Sequence, residues 1–364
     1  MSKNLDSLID ERRTEIRTDK LDMTFGEFAN MYENNELIVA PDYQRLFRWK
    51  DAQKGRFIES LLLGIPTPAI FVAETEDGVW ELVDGLQRLS TVLEFFGVLK
   101  DAEGQRLPAS TLVAIEGAAL PDLDGLTFEG LSLRSRLSLR RAGCRVEVIK
   151  VGSGKRMKYD LFERLNTGGV RLTDQEVRNC IFRAEAPSLM EHFDALAKTG
   201  DFASSLEVSK HKLNSLYDRG LVLRFFALKN DLDSFRHDVE PFITNYVHKI
   251  VDGDAAFDRQ AEDAVFARTF KVIASAAPSG AWKHLRSDSP SGEFSVYIFE
   301  ALSIAVAKNL DFVEAMDPSE LASRINSIKT DSEFKKVVGP GGNTRRRLTK
   351  RLEIAIEKLT APLT

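Results

Sequence analysis

The sequence predicts an α+β protein in two parts. Residues 20–152 mix short strands with helices, and residues 153–364 are mainly α-helical. Two observations carry this. Residues 37–39 and 69–73 are short apolar runs, and 79–83 and 145–151 alternate, patterns that read as strands. Beyond residue 153 the apolar period becomes helical and alternation is scarce. A chain of 364 residues with 43% hydrophobic content can bury two or three cores.

The elements follow in order. Residues 5–18 read as a charged helix. Thr24 and Glu27 form a capping box that opens the next. A strand is expected at 37–39. An amphipathic helix over 51–63 is stopped by Gly64, with Pro66 beyond. Residues 69–73 and 79–83 form a hairpin around Glu76-Asp77-Gly78. Residues 89–96 form an amphipathic helix, 100–130 a loop excursion rich in Gly, Pro and Asp, and 145–151 a strand. In the helical part, segments are expected at 155–165, 187–198, 210–229, 257–276, 292–309 and 343–359. Thr173 and Glu176 cap one further helix start. No internal repeat is visible.

Composition excludes several classes. The formal charge of −5 and a pI near 5.7 rule out a basic nucleic-acid coat, so any DNA contact must be a local patch. Cys144 and Cys180 lack metal-ligand or redox spacing and read as free thiols of a reducing cytoplasm. The N-terminal residues lack the apolar run of a signal peptide. No stretch approaches ~20 apolar residues, so no membrane span is expected. There is no P-loop pattern. The five histidines are scattered, and His237-Asp238 with Glu240 reads as a surface helix turn rather than a metal site.

Three stretches carry directional chemistry. In Asp84-Gly85-Leu86-Gln87-Arg88 a strand runs into a helix. A helix N-terminus offers unpaired N–H groups and a partial positive charge, which suit phosphate. Arg88 adds a bidentate donor, and Asp84 a ligand for a metal ion or water. A capped turn with an Asp–Arg pair is the alternative reading. In the second stretch, Arg164, Asn166, Thr167, Gln175, Glu176, Arg178 and Asn179 crowd around Gly168-Gly169, between two helices. The same spacing suits an ordinary helical hairpin. In the third, Pro41-Asp42-Tyr43-Gln44-Arg45-Leu46-Phe47-Arg48-Trp49 interleaves cations with aromatics before a helix. It reads either as a pinned surface loop or as a nucleotide contact.

In that order, these three motifs resemble the N-terminal domain of the GmrSD type IV restriction endonucleases, over roughly residues 20–185. The resemblance implies a ParB/sulfiredoxin-like fold with the Asp84–Arg88 turn in a nucleotide site. It also implies binding or hydrolysis of a nucleoside triphosphate in defence against phage DNA. The reading that follows gives Asp84, Gln87 and Arg88 catalytic roles. Gln44, Arg45, Gly85, Arg88, Ser90, Asn166 and Thr167 contact the nucleotide. Arg164, Gln175, Glu176, Arg178 and Asn179 support the second motif. The cofactors are ATP or GTP and Mg2+ or another divalent ion, with Asp84 as its ligand. The family commonly carries Gln where this chain has Leu86, so a sensor or clamp that binds nucleotide or DNA without turnover is the alternative. The longer relatives carry a His-Asn-His nuclease domain. No such pattern occurs here, so DNA cleavage is expected from a separately encoded partner. A homo-oligomer is compatible with the sequence.

A last feature lies near the C-terminus. Arg345, Arg346, Arg347, Lys350 and Arg351 open a helix after a Gly-rich turn, against the helix dipole. A solvated face and a contact to a nucleic-acid backbone both fit.

Overall fold

The computed structural model describes residues 5–7, 9, 17–39, 49–101, 103–114, 117–151, 173–287, 289–339 and 344–361. Gln44 and Arg45, and Arg164, Asn166 and Thr167, lie outside the described residues, as does the helix expected at 155–165. The chain divides into two compact units, 1–173 and 174–364.

The first unit is built on a five-stranded mixed sheet. Its strands are β1 (Thr18–Thr24), β2 (Leu37–Ile38), β3 (Ile70–Glu74), β4 (Trp80–Asp84) and β5 (Gly143–Ile149), in the order β1-β5-β3-β4-β2. The expected hairpin is present: β3 and β4 pair antiparallel, with a register shift between Phe71 and Val72. β5 runs parallel to β3 and antiparallel to β1, and β2 runs parallel to β4. Ile70, Val72, Val146 and Val148 are fully buried, which fixes the central register.

Among the described residues, the helices of nine residues or more in this unit are α1 (Phe25–Glu33), α2 (Asp51–Leu62), α3 (Leu86–Phe95) and α4 (Leu133–Arg141). Thr24 caps α1 by accepting the Glu27 N–H, as its sequence signature predicts. Phe25 and Phe28 on α1 are wholly buried, each contributing about 2–3 kcal/mol by removal from water. Gln53 reaches back to the Lys50 N–H at the start of α2. Gly64, at φ +69°, ends it.

Two elements differ from expectation. Thr18 does not end a helix but begins β1, where Leu21 and Met23 alternate with Lys20 and Asp22 and the strand pairs along its whole length with β5. Pairing decides the conformation of so polar a segment. Residues 133–141 form α4, with Ser132 capping it through the Ser135 N–H.

The second unit is helical. Its helices of eleven residues or more are α5 (Asp174–Glu185), α6 (Pro187–Ala197), α7 (Tyr217–Asn230), α8 (Val239–Val251), α9 (Arg259–Ala276), α10 (Val296–Lys308), α11 (Pro318–Thr330) and α12 (Arg345–Thr360). Phenylalanines dominate its core: Phe202, Phe225, Phe226, Phe266, Phe270 and Phe299 are at most 1% exposed. The single helix expected over 210–229 is broken. Leu216 sits at φ +58° between Lys210–Asn214 and α7, and its side chain is buried. A short hairpin, β6 (His284–Arg286) with β7 (Ser289–Ser291), interrupts the helices.

Candidate nucleotide site

Strand β4 delivers Asp84 to the point where α3 begins. Gly85 is the N-cap of α3 at φ +103°, a left-handed conformation that costs a side-chain-bearing residue about 1–3 kcal/mol. A Cβ there would also meet the Ile70 side chain at 3.0 Å. No side chain caps α3, and its first turn holds no acidic residue. A helix N-terminus of this kind suits an anion.

Arg88 is committed to the turn itself. Its Nη2 donates to Asp84 Oδ2 at 2.9 Å, and its Nη1 donates to the carbonyls of Ala69, at 3.1 Å, and Pro68. The side chain is only 13% exposed. It ties the entrance of β3 to the exit of β4. Asp84 remains 33% exposed. Burial raises its pKa above the usual carboxylate value, against the lowering effects of the Arg88 charge and the Gly85 N–H.

Gln87 accepts the Trp49 N–H through Oε1 at 3.0 Å, so the end of the 41–49 motif meets the turn. Trp49 is held edge-on to Phe57, 5.5 Å between centroids. Leu86 packs partly buried against the core of the unit. Ser90 is 4% exposed, within α3 rather than at its open end. Cys144, a free thiol, lies beneath the turn, its Sγ 3.7 Å from the same Pro68 carbonyl that Arg88 holds. Burial raises its pKa.

The later half of the second motif starts the second unit. Gln175, Glu176, Arg178 and Asn179 are all at most 5% exposed. Arg178 donates to Gln175 Oε1 (3.0 Å), Glu240 Oε2 (2.6 Å), the Glu240 carbonyl and Thr244. Asn179 accepts from Arg183 at 3.4 Å. A ladder of alternating charge continues from there. Glu240 also holds Arg224 at 2.7 Å, Arg224 holds Glu300 at 2.7 Å, and Glu300 holds Arg351. Glu300 and Arg351 are fully buried, and the Arg351 guanidinium stacks 4.9 Å from the Tyr297 ring. Burial would raise the pKa of Glu240, but the Arg178 and Arg224 charges outweigh it and hold it low. Sequence reasoning missed this ladder. Its signal was a lone Glu300 inside the apolar run of α10.

Arg351 therefore leaves the basic surface on which the sequence placed it. It is a core residue, because α12 turns that face toward α10. Arg345 donates to the carbonyls of Asp233 and Phe235. Arg346 and Lys350 stay exposed. Asp238 caps α8 through the Glu240 N–H, so His237-Asp238 lies at the start of a helix. Among the described residues no cluster of three metal-ligating side chains occurs, and no helix is long and apolar enough to cross a membrane.

Residues 25–183 match the model of the GmrSD restriction endonuclease, N-terminal domain. Over this segment the chain is similar to that family. The match spans all three motifs, and a domain of this kind implies a restriction-type defence protein. A comparison with curated proteins returned no match.

Proposed function

We propose that the protein binds a nucleoside triphosphate, ATP or GTP, at the Asp84–Arg88 turn and hydrolyses it in a cytoplasmic defence system. The observation that carries this reading is the start of α3. It has no side-chain cap, its N-cap Gly85 is left-handed, and the part-buried Arg88 guanidinium lies in the same turn. Such an N-terminus receives phosphate oxygens. Gln87, held by Trp49, positions a water or a phosphate oxygen. Hydrolysis of this kind needs mainly positioning and charge neutralisation. Gln44, Arg45, Asn166 and Thr167 complete the pocket in this reading.

One carboxylate cannot build an all-protein metal site. It suits Mg2+ that arrives with phosphate ligands of its own, and Asp84 would hold that ion. The bound ion would neutralise phosphate charge. A ParB/sulfiredoxin-like classification of the sheet and a separately encoded nuclease that cuts phage DNA belong to the same proposal.

A second reading, a nucleotide- or DNA-binding clamp without turnover, is favoured by one observation. Asp84, Gln87 and Arg88 all already have protein partners in the turn. Incubation with each triphosphate and magnesium separates the two. Phosphate release supports hydrolysis. Saturable binding in titration calorimetry without release supports the clamp. Absence of triphosphate binding refutes hydrolysis and the nucleotide clamp, and leaves only a clamp on DNA.

A further inference from the structure

Helix α4 carries Arg134, Arg136, Arg140 and Arg141 and no acidic residue, in a chain whose net charge is −5. We propose that the outer face of α4 is a contact for the phosphate backbone of duplex DNA. This surface is distinct from the basic stretch near the C-terminus and does not rest on the nucleotide reading.

Arg134 and Arg141 are exposed, and among the described residues neither has an ion pair or side-chain hydrogen bond. Seven positions apart, they lie on one face about 10 Å from each other along the axis. That is about three steps of one DNA strand at ~3.4 Å each. Arg140 is exposed yet held in place, its guanidinium 5.5 Å from the Phe128 ring and 5.9 Å from Phe96. A cation already ordered on an aromatic loses less entropy on meeting phosphate. Arg136 is tied to Glu129, which is 77% exposed, and surface pairs of this kind exchange readily for a stronger anion.

Ser132 and Ser138 add exposed hydroxyl-bearing positions. Leu133, 65% exposed, and Leu137, 36% exposed, fill the stripe between the arginines and offer apolar contact to sugars. Four cations and serines, with the exposed Glu129 as the carboxylate paired to one of them, match the composition of a nucleic-acid face better than that of a protein interface. The C-terminal stretch lacks this character, since Arg351 is buried and Arg345 is bound to backbone carbonyls.

The test uses the full chain without nucleotide and a short fluorescein-labelled duplex, read by anisotropy across a salt series. The intact protein should bind two unrelated duplex sequences equally. The double variant R134A/R141A, checked for unchanged circular dichroism, should bind roughly tenfold more weakly at low salt. Its salt slope should be flatter by up to about 2 units. The variant R346A/K350A should keep the slope of the intact protein. Three results overturn the proposal: no duplex binding by the intact protein, the same slope in R134A/R141A, or binding of labelled poly-glutamate through Arg134 and Arg141 where duplex is ignored. The last would identify an acidic protein as the partner.

Discussion

Replacing Arg88 with alanine should destabilise the first unit before any question of ligand arises. The side chain satisfies the Pro68 and Ala69 carbonyls and pairs with Asp84. Two lost hydrogen bonds to carbonyls cost about 1 kcal/mol each, and the part-exposed pair about 1 kcal/mol more, so about 3 kcal/mol in all. For a unit of this size that lowers the melting temperature by about 6–12 °C. The loss should depend on pH. Removing Arg88 takes away the charge that opposes burial at Asp84, so the Asp84 pKa, already raised, rises further. The variant then binds a proton at Asp84 more readily than the native protein. The stability gap between the two must narrow as pH falls through the Asp84 titration and be widest near neutrality. Differential scanning calorimetry of both proteins from acid to neutral pH measures this. An unchanged melting temperature, or a gap that widens on acidification, refutes the structural role assigned to Arg88.

Four further outcomes are expected. Gly85→Ala should cost about 1–3 kcal/mol in urea unfolding, because the residue sits at φ +103° with Ile70 at contact distance. Asp84→Asn should keep its melting temperature within a few degrees while phosphate release falls at least tenfold; retained release removes Asp84 from the chemistry. Lys329, 3% exposed and with its pKa lowered to about 8 by burial, binds more protons unfolded than folded between about pH 8 and its ordinary 10.5. Native stability should therefore rise across that window by about 2–3 kcal/mol, and Lys329→Met should abolish the rise in urea midpoints. Arg351→Ala should cost up to about 3 kcal/mol by removing one of the two guanidiniums that neutralise the buried Glu300, Arg224 keeping the other; Glu300→Gln in the same background should recover part of it.

The sequence exposed what local chemistry decides and hid what pairing decides. Thr24 and Gly64 bound helices where their side chain or conformational freedom predicts. The hairpin at 76–78 followed from its turn residues. Strand β1 was invisible because its polar residues form a strand only beside β5. The site divides the same way. Gly85 at a strand-to-helix turn was legible as a special backbone position. That Gln87 would reach the Trp49 N–H, or Arg88 the Pro68 and Ala69 carbonyls, depends on contacts 19–38 positions apart. Arg351 showed the limit of counting charges: only packing against Glu300 and Tyr297 reveals that it is interior.

The charge ladder also determines how this chain can be cut. The family match ends at residue 183, inside α5, yet Arg178 on that helix is neutralised by Glu240 and packed beside Thr244. A fragment trimmed to the matched residues would strip cover from Val177, Ile181 and Phe182 and leave Arg178 without its carboxylate. The segment that inheritance marks as a module and the segment that folds as one have different ends. Expression of the first unit alone should stop at Thr173, before the helix begins. Any chimera that keeps α5 must also carry the later helices bearing Glu240, Arg224 and Glu300 from the same parent.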